Sequence, residues 1–356
     1  EKRGVRKSTG LIVVSADADN QVGIELSFKE FDYLLAAGLQ SNWQAYGHRG
    51  VGATFTGTFS TGNTLTASVA PTGASDFTRL KKGQWVTVGG ASIAANNNKM
   101  VQVSKTTAPT TTVVVFEGTP FTNGAAGAGC YITAARLQEG TLQRGISMER
   151  QYKDIVQNHA FRGFMLDKIS LEWQQGNIVG GSLSFMGKDA LAMSASSSLP
   201  YAPAASSTLE VMNAVAGMSN IQQDGAALAK SIMKLSLDIA NNQRKRMAIG
   251  STGPIGIGNG ELIVTGSAEV YLEDGTRFTS YVNNTPFALG FGMQDLAGNG
   301  YYFTLPRLRF SDANPGAAQE NADIMDPGAF EAEADLGNAD STLQSTIIID
   351  RFGAAL

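Results

Sequence analysis

The chain has 356 residues, of which 43% are hydrophobic and only 16% are charged, and its formal net charge is −4. This balance excludes a general electrostatic attraction to phosphate or to acidic membranes. A single cysteine, Cys130, excludes an intramolecular disulfide and a thiolate metal site, and no apolar run approaches the roughly 20 residues of a membrane-spanning helix. The 41 glycines and 10 prolines are typical of an all-β protein with many turns.

The N-terminal segment predicts an arm, two strands and a helix. EKRGVRKSTG is basic and polar, so we expect a flexible arm at 1–10, and LIVVSADADNQVGIELSF predicts two strands around a turn. Ser27 with Glu30 three residues later predicts a capping box at the start of a helix. The apolar face of this helix is formed by Phe31, Leu34 and Leu35.

The composition changes abruptly near residue 51 and changes back near residue 135. Short Thr- and Val-rich segments, such as QWVTVGG and TTTVVVFEG, are separated here by Gly, Asn and Pro turns, a pattern typical of short strands. We interpret 51–135 as a small β-sandwich or barrel domain. It interrupts a main domain formed by 1–50 and 136–356, and we expect it at the periphery.

Two stretches of the main domain are nearly alike: KISLEWQQGNIVGGSLSF at 168–185, and KLSLDI at 234–239 followed by IVTGSAEV at 263–270. Apolar and polar residues alternate in both, which predicts a duplicated hairpin with one face on a core and one in water. The side chains predicted to face the core are Ile169, Leu171, Trp173, Leu183, Phe185, Leu235, Leu237, Ile239, Ala268 and Val270. Those predicted to face water are Lys168, Ser170, Glu172, Ser182, Ser184, Lys234, Ser236, Asp238, Ser267 and Glu269.

A second helix is predicted over DGTRFTSYVN, with Asp274 as its cap and Phe278, Tyr281 and Val282 as its apolar face. The same spacing in the first helix suggests a duplication that extends beyond the hairpins, although the strands just before the two helices align only with a gap. FALGFGMQD, GYYFTLPRLRF and STIIIDRF predict further strands.

Two segments carry concentrated charge. The tip of the second hairpin, NNQRKRMAIGSTGPIGIGNG, contains Arg244, Lys245 and Arg246. No basic residue lies between Arg309 and Arg351, and we interpret 312–340 as an acidic loop.

No arrangement of residues predicts catalysis or metal binding. His48 and His159 lie in no triad-like or metal-ligand motif, and EAEAD lacks the alternating ligands and glycine of an EF-hand loop. GIGNG precedes a strand instead of opening a helix, so a turn is expected there and no phosphate site. We therefore expect a protein that is not an enzyme and that has no cofactor and no metal.

The stretch RGISMERQYKDIVQNHAFRGFMLDKISLEWQQGNIVGGSLSFMGK resembles the central segment of major tail tube proteins of long-tailed, siphovirus-type bacteriophages. GELIVTGSAEVYLED and GNGYYFTLPRLRFSDANP resemble later parts of the same family, and the resemblance covers nearly the whole chain outside 51–135. It implies an all-β tail-tube sandwich or barrel with flanking short helices, assembled into stacked rings around a DNA channel. The expected location is the virion tail, assembled in the host bacterial cytoplasm.

The resemblance implies several partners and no membrane. They are further copies of the chain, a tape measure protein, tail terminator and tip proteins, and double-stranded DNA that passes without specific binding. If each chain supplies four strands, six chains give about 24 strands, and strands 4.8 Å apart with a tilt of roughly 40° then close at a diameter of about 45–50 Å. Three chains would need eight strands each, so we favour a hexameric ring over a trimeric one.

The water-facing side of the two hairpins is the expected lumen. A small, wettable surface is formed by Ser170 and Ser236, and we expect Glu172 and Asp238, with Glu269 as a weaker candidate, to repel the phosphate backbone. An ordinary exposed strand face explains such residues equally well. Lys168 and Lys234 count against an acidic lining unless they lie near the rim or pair with the carboxylates.

Charge complementarity is the expected means of joining stacked rings. The basic side is predicted to comprise Lys2, Arg3, Arg6, Lys7, Arg244, Lys245 and Arg246. The acidic side is predicted to lie on the 312–340 loop and to include Glu331, Glu333 and Asp335. Two solvated loops are the alternative.

Two other readings stay open at this stage. A tail terminator or baseplate-hub protein of the same fold would form rings that do not polymerise. A surface carbohydrate-binding protein, a different class, is suggested by 51–135, where Trp85 could stack on a sugar or belong to a core strand.

Overall fold

The computed structural model describes residues 18–49, 57–70, 76–199, 208–214, 218–228, 231–316, 323–338, 340 and 343–353. The arm residues Lys2, Arg3, Arg6 and Lys7 lie outside these ranges. Within them the chain forms 23 strands and two α-helices, α1 (Asp32–Gly38) and α2 (Thr276–Val282). Two short 3-10 helices span Phe77–Arg79 and Ala94–Asn96.

Most strands belong to one 17-stranded sheet that is not closed into a barrel. The strands outside 51–135, with β9 that crosses residue 135, are β1 (Ala18–Glu25), β2 (Gln44–Arg49), β9 (Tyr131–Gln138), β10 (Ile146–Tyr152), β11 (Gln157–Gln174), β12 (Gly180–Gly187), β13 (Asp189–Ala190), β14 (Met218–Gln223), β15 (Ala226–Ala227), β16 (Ile232–Ala240), β17 (Arg244–Arg246), β18 (Gly256–Gly258), β19 (Ile263–Tyr271), β20 (Phe287–Gln294), β21 (Gly300–Ala313), β22 (Met325–Ala332) and β23 (Ile348–Phe352). The remaining strands are β3 (Gly57–Ser60), β4 (Thr64–Ala67), β5 (Trp85–Gly89), β6 (Lys99–Gln102), β7 (Val113–Val115) and β8 (Gly124–Ala125). The prediction of a β-dominated fold with short helices is confirmed.

The main body is a sandwich of two layers formed by one folded sheet. One layer contains β1, β12, β11, β16, β19 and β22 in that order, and the other contains β20, β21 and β23. The long strand β21 belongs to both, since its C-terminal half pairs with β22 and its N-terminal half with β20 and β23. Trp173 lies between the layers, where its ring meets Phe291 and Phe303 edge-on at centroid distances of 5.0 and 5.7 Å.

The core faces of the duplicated hairpins agree with the predicted alternation. The ten residues predicted to face the core are all buried, and the layers close over them because apolar side chains recur at every second position. Burying a side chain of Leu or Phe size contributes about 1.5–3 kcal/mol relative to exposure, so this pattern strongly favours one register.

The first helix begins later than its predicted capping box. α1 starts at Asp32, and Ser27 instead forms an isolated β-bridge with Val211. Lys29 has a φ of 66° and donates its backbone N–H to the hydroxyl of Tyr301, so no helix can run through this position. The predicted apolar face is confirmed, because Leu35 is buried and Phe31 and Leu34 pack against the core.

The second helix has the predicted position but the opposite orientation. Asp274 accepts a hydrogen bond from the backbone N–H of Thr276, as a residue near the N-terminus of a helix should. Phe278, Tyr281 and Val282 nevertheless face solvent, because Arg277 occupies the inward position. The helices follow β1 and β19, which the duplication does not relate, so the repeat does not extend to them.

A strand lies where an acidic loop was predicted. β22 pairs with β19 on one side and β21 on the other, which places Glu331 on a sheet. Pro327 and Gly328 are unfavourable in the interior of a strand, so the sequence alone does not predict a strand here. Its inward positions include Phe330 and the carboxylate of Asp326, which is buried beside Arg277.

The segment 57–135 packs around a second hydrophobic core. This core is formed by Tyr46, Phe59, Leu65, Ala67, Phe77, Leu80, Val86, Val88, Ala91, Val101, Val103, Val114, Phe116, Phe121, Ala126, Cys130, Ile132 and Ala134. β3, β4, β7 and β8 form a separate four-stranded sheet, whereas β9 pairs with β23 and so extends the main sheet into this segment. Among the described residues, no helix has the length and apolar character needed to cross a membrane.

Candidate functional site

The two duplicated hairpins lie side by side and form one continuous surface. β12 pairs with β11, β11 with β16, and β16 with β19, all antiparallel. In the central pairing Ser170 lies opposite Asp238, and its counterpart Ser236 lies opposite Glu172. Leu171 pairs with Leu237, so a local two-fold relation passes through this pair and exchanges the hairpins.

Equivalent glycines carry the relation into the outer strands. Gly181 lies opposite Leu171 and Gly266 lies opposite Leu237. A Cβ atom at either position would lie 2.1 or 2.3 Å from the carbonyl oxygen of Ser170 or Ser236, respectively. Both positions therefore require glycine because the neighbouring backbone approaches too closely for any side chain.

The polar face of these four strands contains two ion pairs, each between the two hairpins. Lys168 Nζ lies 3.3 Å from Asp238 Oδ2, and Lys234 Nζ lies 2.9 Å from Glu172 Oε1. The local two-fold relation maps one pair onto the other, because it exchanges Lys168 with Lys234 and Glu172 with Asp238. All four side chains are 38–48% exposed, so the pairs lie on an open surface.

Hydroxyl groups fill the space between the ion pairs. The hydroxyls of Ser236 and Ser267 are hydrogen-bonded at 2.8 Å, and the backbone N–H of Ser267 donates to Ser236 Oγ. Ser170 lies opposite Ser182 in the equivalent place. Glu269 lies directly opposite Lys234 on β19, which gives this lysine a second carboxylate-bearing neighbour. The predicted surface residues thus come together on one face.

The three basic residues at the tip of the second hairpin are not equally free to contact another chain. Lys245 Nζ lies 2.8 Å from a carboxylate oxygen of Asp19 on β1, and Arg244 donates to the carbonyl of Asn259. Arg244 and Arg246 are exposed on the small two-stranded sheet of β17 and β18. Beyond them the tip is apolar, and it exposes Met247, Ile249 and Ile255.

Two of the predicted acidic contacts are engaged within the chain. Glu333 Oε1 lies 2.5 Å from Arg307 Nε and 3.0 Å from Arg309 Nε, and Asp335 lies 3.5 Å from Arg307. The hydrogen bond from Arg307 is the main reason that the pKa of Glu333 lies below its usual value. Glu331 is exposed on β22 and shares the face that carries the ion pairs.

Trp85 does not offer a platform for sugar stacking. Only 5% of the residue is exposed, and its ring stacks on Tyr302 with centroids 4.4 Å apart. It belongs to a small cluster with Phe352, where β5 meets the main body. The core-strand interpretation of this residue is therefore the correct one.

No metal-binding cluster accompanies this surface among the described residues. Within the described ranges, no three His, Cys, Asp or Glu side chains converge as a metal site would require. His159 packs against Phe161 at a ring distance of 4.3 Å. The side chain of His48 lies outside the described part of the structure.

Comparison with known proteins points to one family. The model of a family described as "Phage tail tube protein" matches residues 2–335. No curated protein matches the chain.

Proposed function

Because the chain belongs to the phage tail tube protein family, we propose that it self-assembles into stacked rings that form the tail tube of the virion and conduct DNA into the host. The family is a structural one and supports a location in the tail. Assembly into rings around a channel is supported by the four-stranded surface of β12, β11, β16 and β19. This surface has a continuous core on one side and a pseudo-symmetric polar face on the other.

We infer that six chains form each ring. Four strands from each of six chains give about 24 strands and a backbone diameter of about 45–50 Å, which leaves room for hydrated duplex DNA after side chains are added. A trimeric ring of equal bore would need eight strands per chain. β1, β22 and the C-terminal half of β21 extend the same layer, and we propose that only the four hairpin strands line the channel.

The polar face suits a wall past which DNA must slide. Ser170, Ser182, Ser184, Ser236 and Ser267 supply small hydroxyl groups instead of long cationic side chains. Glu172, Asp238 and Glu269 place carboxylates among them. The five charged side chains at the predicted water-facing positions of the two hairpins, including Lys168 and Lys234, leave one negative charge per chain on these positions, so attraction to phosphate is weak.

Fewer residues are candidates for contacts between stacked rings than the sequence predicts. Arg244 and Arg246 stay the basic candidates at the tip, with Arg3, Arg6 and Lys7 on the arm. Lys245 is a weaker candidate because it already pairs with Asp19. On the acidic side Glu333 and Asp335 pair with Arg307, whereas Glu331 is exposed. Because Glu331 shares the proposed lumenal face, we propose its contact at the rim of the channel.

The apolar end of the tip supplies the rest of the proposed contact. Met247, Ile249 and Ile255 are exposed there, and apolar burial contributes roughly 25 cal/mol per Å². Charge at Arg244 and Arg246 would then set register and docking speed more than affinity. The domain 51–135 is proposed to lie outside the channel.

The partners and location follow from this proposal. A tape measure protein would occupy the lumen during assembly in the host cytoplasm, and terminator and tip proteins would close the two ends. DNA would pass without specific binding, and no membrane contact is needed.

Electron microscopy of the purified, concentrated protein tests the assembly. Long hollow cylinders with six-fold end views are the expected result. Three-fold views would refute the four-strand lining while leaving the tube function in place. Closed rings that never stack would favour the terminator or hub reading.

A further inference from the structure

Two lysines stand on the proposed lumenal face. Lys168 and Lys234 lie on the central strands β11 and β16 and are about 40% exposed. Each lysine that contacts a phosphate releases counterions and strengthens DNA binding. If both lysines of every chain were free to contact phosphate, the tube wall would bind the DNA that has to pass through it.

Both ammonium groups are occupied by a carboxylate of the other hairpin. Asp238 holds Lys168 at 3.3 Å, and Glu172 holds Lys234 at 2.9 Å. The two contacts have the same cross-strand geometry because the pairing of Leu171 with Leu237 relates them. The register of β11 with β16 therefore creates both contacts at once.

Long-range repulsion explains less of this arrangement. On the four hairpin strands the carboxylates of Glu172, Asp238 and Glu269 exceed the two ammonium groups by one charge, and Glu331 on the adjacent strand β22 adds one more. At physiological ionic strength such a charge is screened over about 8 Å, so its effect on DNA in the centre of a channel is small. By contrast, Glu172 and Asp238 contact the lysines directly, at 2.9 and 3.3 Å, where screening by salt is weak.

We propose that Glu172 and Asp238 mask Lys234 and Lys168, and thereby keep the tube wall from binding duplex DNA; this inference rests on the tube function proposed above. In this scheme the carboxylates matter only because the lysines are present. A wall that lacked all four charges would be as passive as the natural one.

The test compares two variants of the full chain. Glu172→Gln with Asp238→Asn removes the ion-pair partner of each lysine and leaves Glu269 in place, and the fourfold variant that adds Lys168→Gln and Lys234→Gln removes the lysines as well. Exposed ion pairs contribute at most about 1 kcal/mol to stability, so both variants should fold. Binding of a fluorescent 24-base-pair duplex to the soluble chain is measured by anisotropy at 50 and 200 mM salt.

Masking predicts that only the twofold variant gains affinity. Two freed lysine–phosphate contacts each add about 0.9 to the salt slope, so its affinity should fall about tenfold more than that of the natural chain between the two salt concentrations. The fourfold variant should behave like the natural chain. Equal gains in both variants would show direct repulsion and overturn masking, and no gain in either would overturn it too.

The outcome is independent of tube formation. The DNA measurement uses soluble chains, whereas the tube function is judged from cylinders in the microscope. Natural protein that forms no cylinders would refute the proposed function even if the twofold variant binds DNA. Cylinders together with unchanged DNA binding would refute masking alone.

Discussion

Arg136 and Asp350 form a bidentate ion pair at the junction of β9 and β23, with N–O distances of 2.7 and 2.9 Å. Their side chains are 3% and 0% exposed, so water does not compete for either charge. Asp350 also accepts the backbone N–H of Trp85 on β5. One carboxylate thus joins the segment 51–135 to the main body.

Replacing Asp350 with Asn should destabilise the protein strongly. The guanidinium of Arg136 would stay buried without a counter-charge, and breaking a buried pair in this way costs about 3–5 kcal/mol. The free energy of unfolding from urea titration measures the effect. The double variant Arg136→Met with Asp350→Leu should recover much of the loss, and a double variant no more stable than the single one would contradict this account.

The glycines of the polar sheet should tolerate no side chain. Gly181→Ala and Gly266→Ala each bring a methyl group against a strand carbonyl, and overpacking of this kind costs about 1–3 kcal/mol. Gly23→Ala on β1 is the matched control, because no atom lies within 4 Å of the added Cβ. Thermal unfolding of the three variants measures the effect, and we expect lower midpoints for Gly181→Ala and Gly266→Ala than for Gly23→Ala. Equal midpoints would show that the sheet relaxes around the methyl group.

Local alternation was sufficient to predict the hairpin strands and both of their faces. It could not predict the ion pairs, because they depend on the register between β11 and β16, strands separated by a long connection in the chain. β22 was missed because Pro327 interrupts its pattern, and its pairing is set by neighbouring strands instead of by its own propensity. In each case tertiary pairing supplied the information that a local pattern lacks.

The orientation of α2 shows the same limit for helices. Phe278, Tyr281 and Val282 predicted a buried face by spacing, yet a single cation decides the orientation. Arg277 donates to the carbonyls of Asp326 and Ala268 at 2.6 and 2.9 Å and lies over the ring of Phe310. The spacing of apolar residues along a helix gives no information about partners on other strands, such as those of Arg277.

Arg277 should therefore matter more to stability than the aromatic residues beside it. Arg277→Ala leaves the buried carboxylate of Asp326 without its cation, and we expect a loss of about 3–5 kcal/mol in the free energy of unfolding. Phe278→Ser changes an exposed position and should stay within about 0.5 kcal/mol of the natural chain. Urea titration compares the two, and a larger loss for Phe278→Ser would show that α2 buries its aromatic face in solution.

Cys130 offers a probe of whether the segment 51–135 opens separately from the main body. The residue is fully buried in the second core, and burial raises the pKa of its thiol to about 12. A thiol reagent at pH 8 therefore meets a protonated and inaccessible sulfur in the folded chain, and modification should require opening of this core. The rate of labelling in increasing urea, followed by absorbance, reports that opening. Tryptophan fluorescence in a chain that carries Trp85→Phe reports the main body through Trp43 and Trp173. Because Asp350 joins the two parts, we expect both signals to change at one urea concentration in the natural chain. Asp350→Asn should bring labelling to a lower urea concentration than the fluorescence change, and coincident transitions in that variant would show that the two cores unfold as one unit.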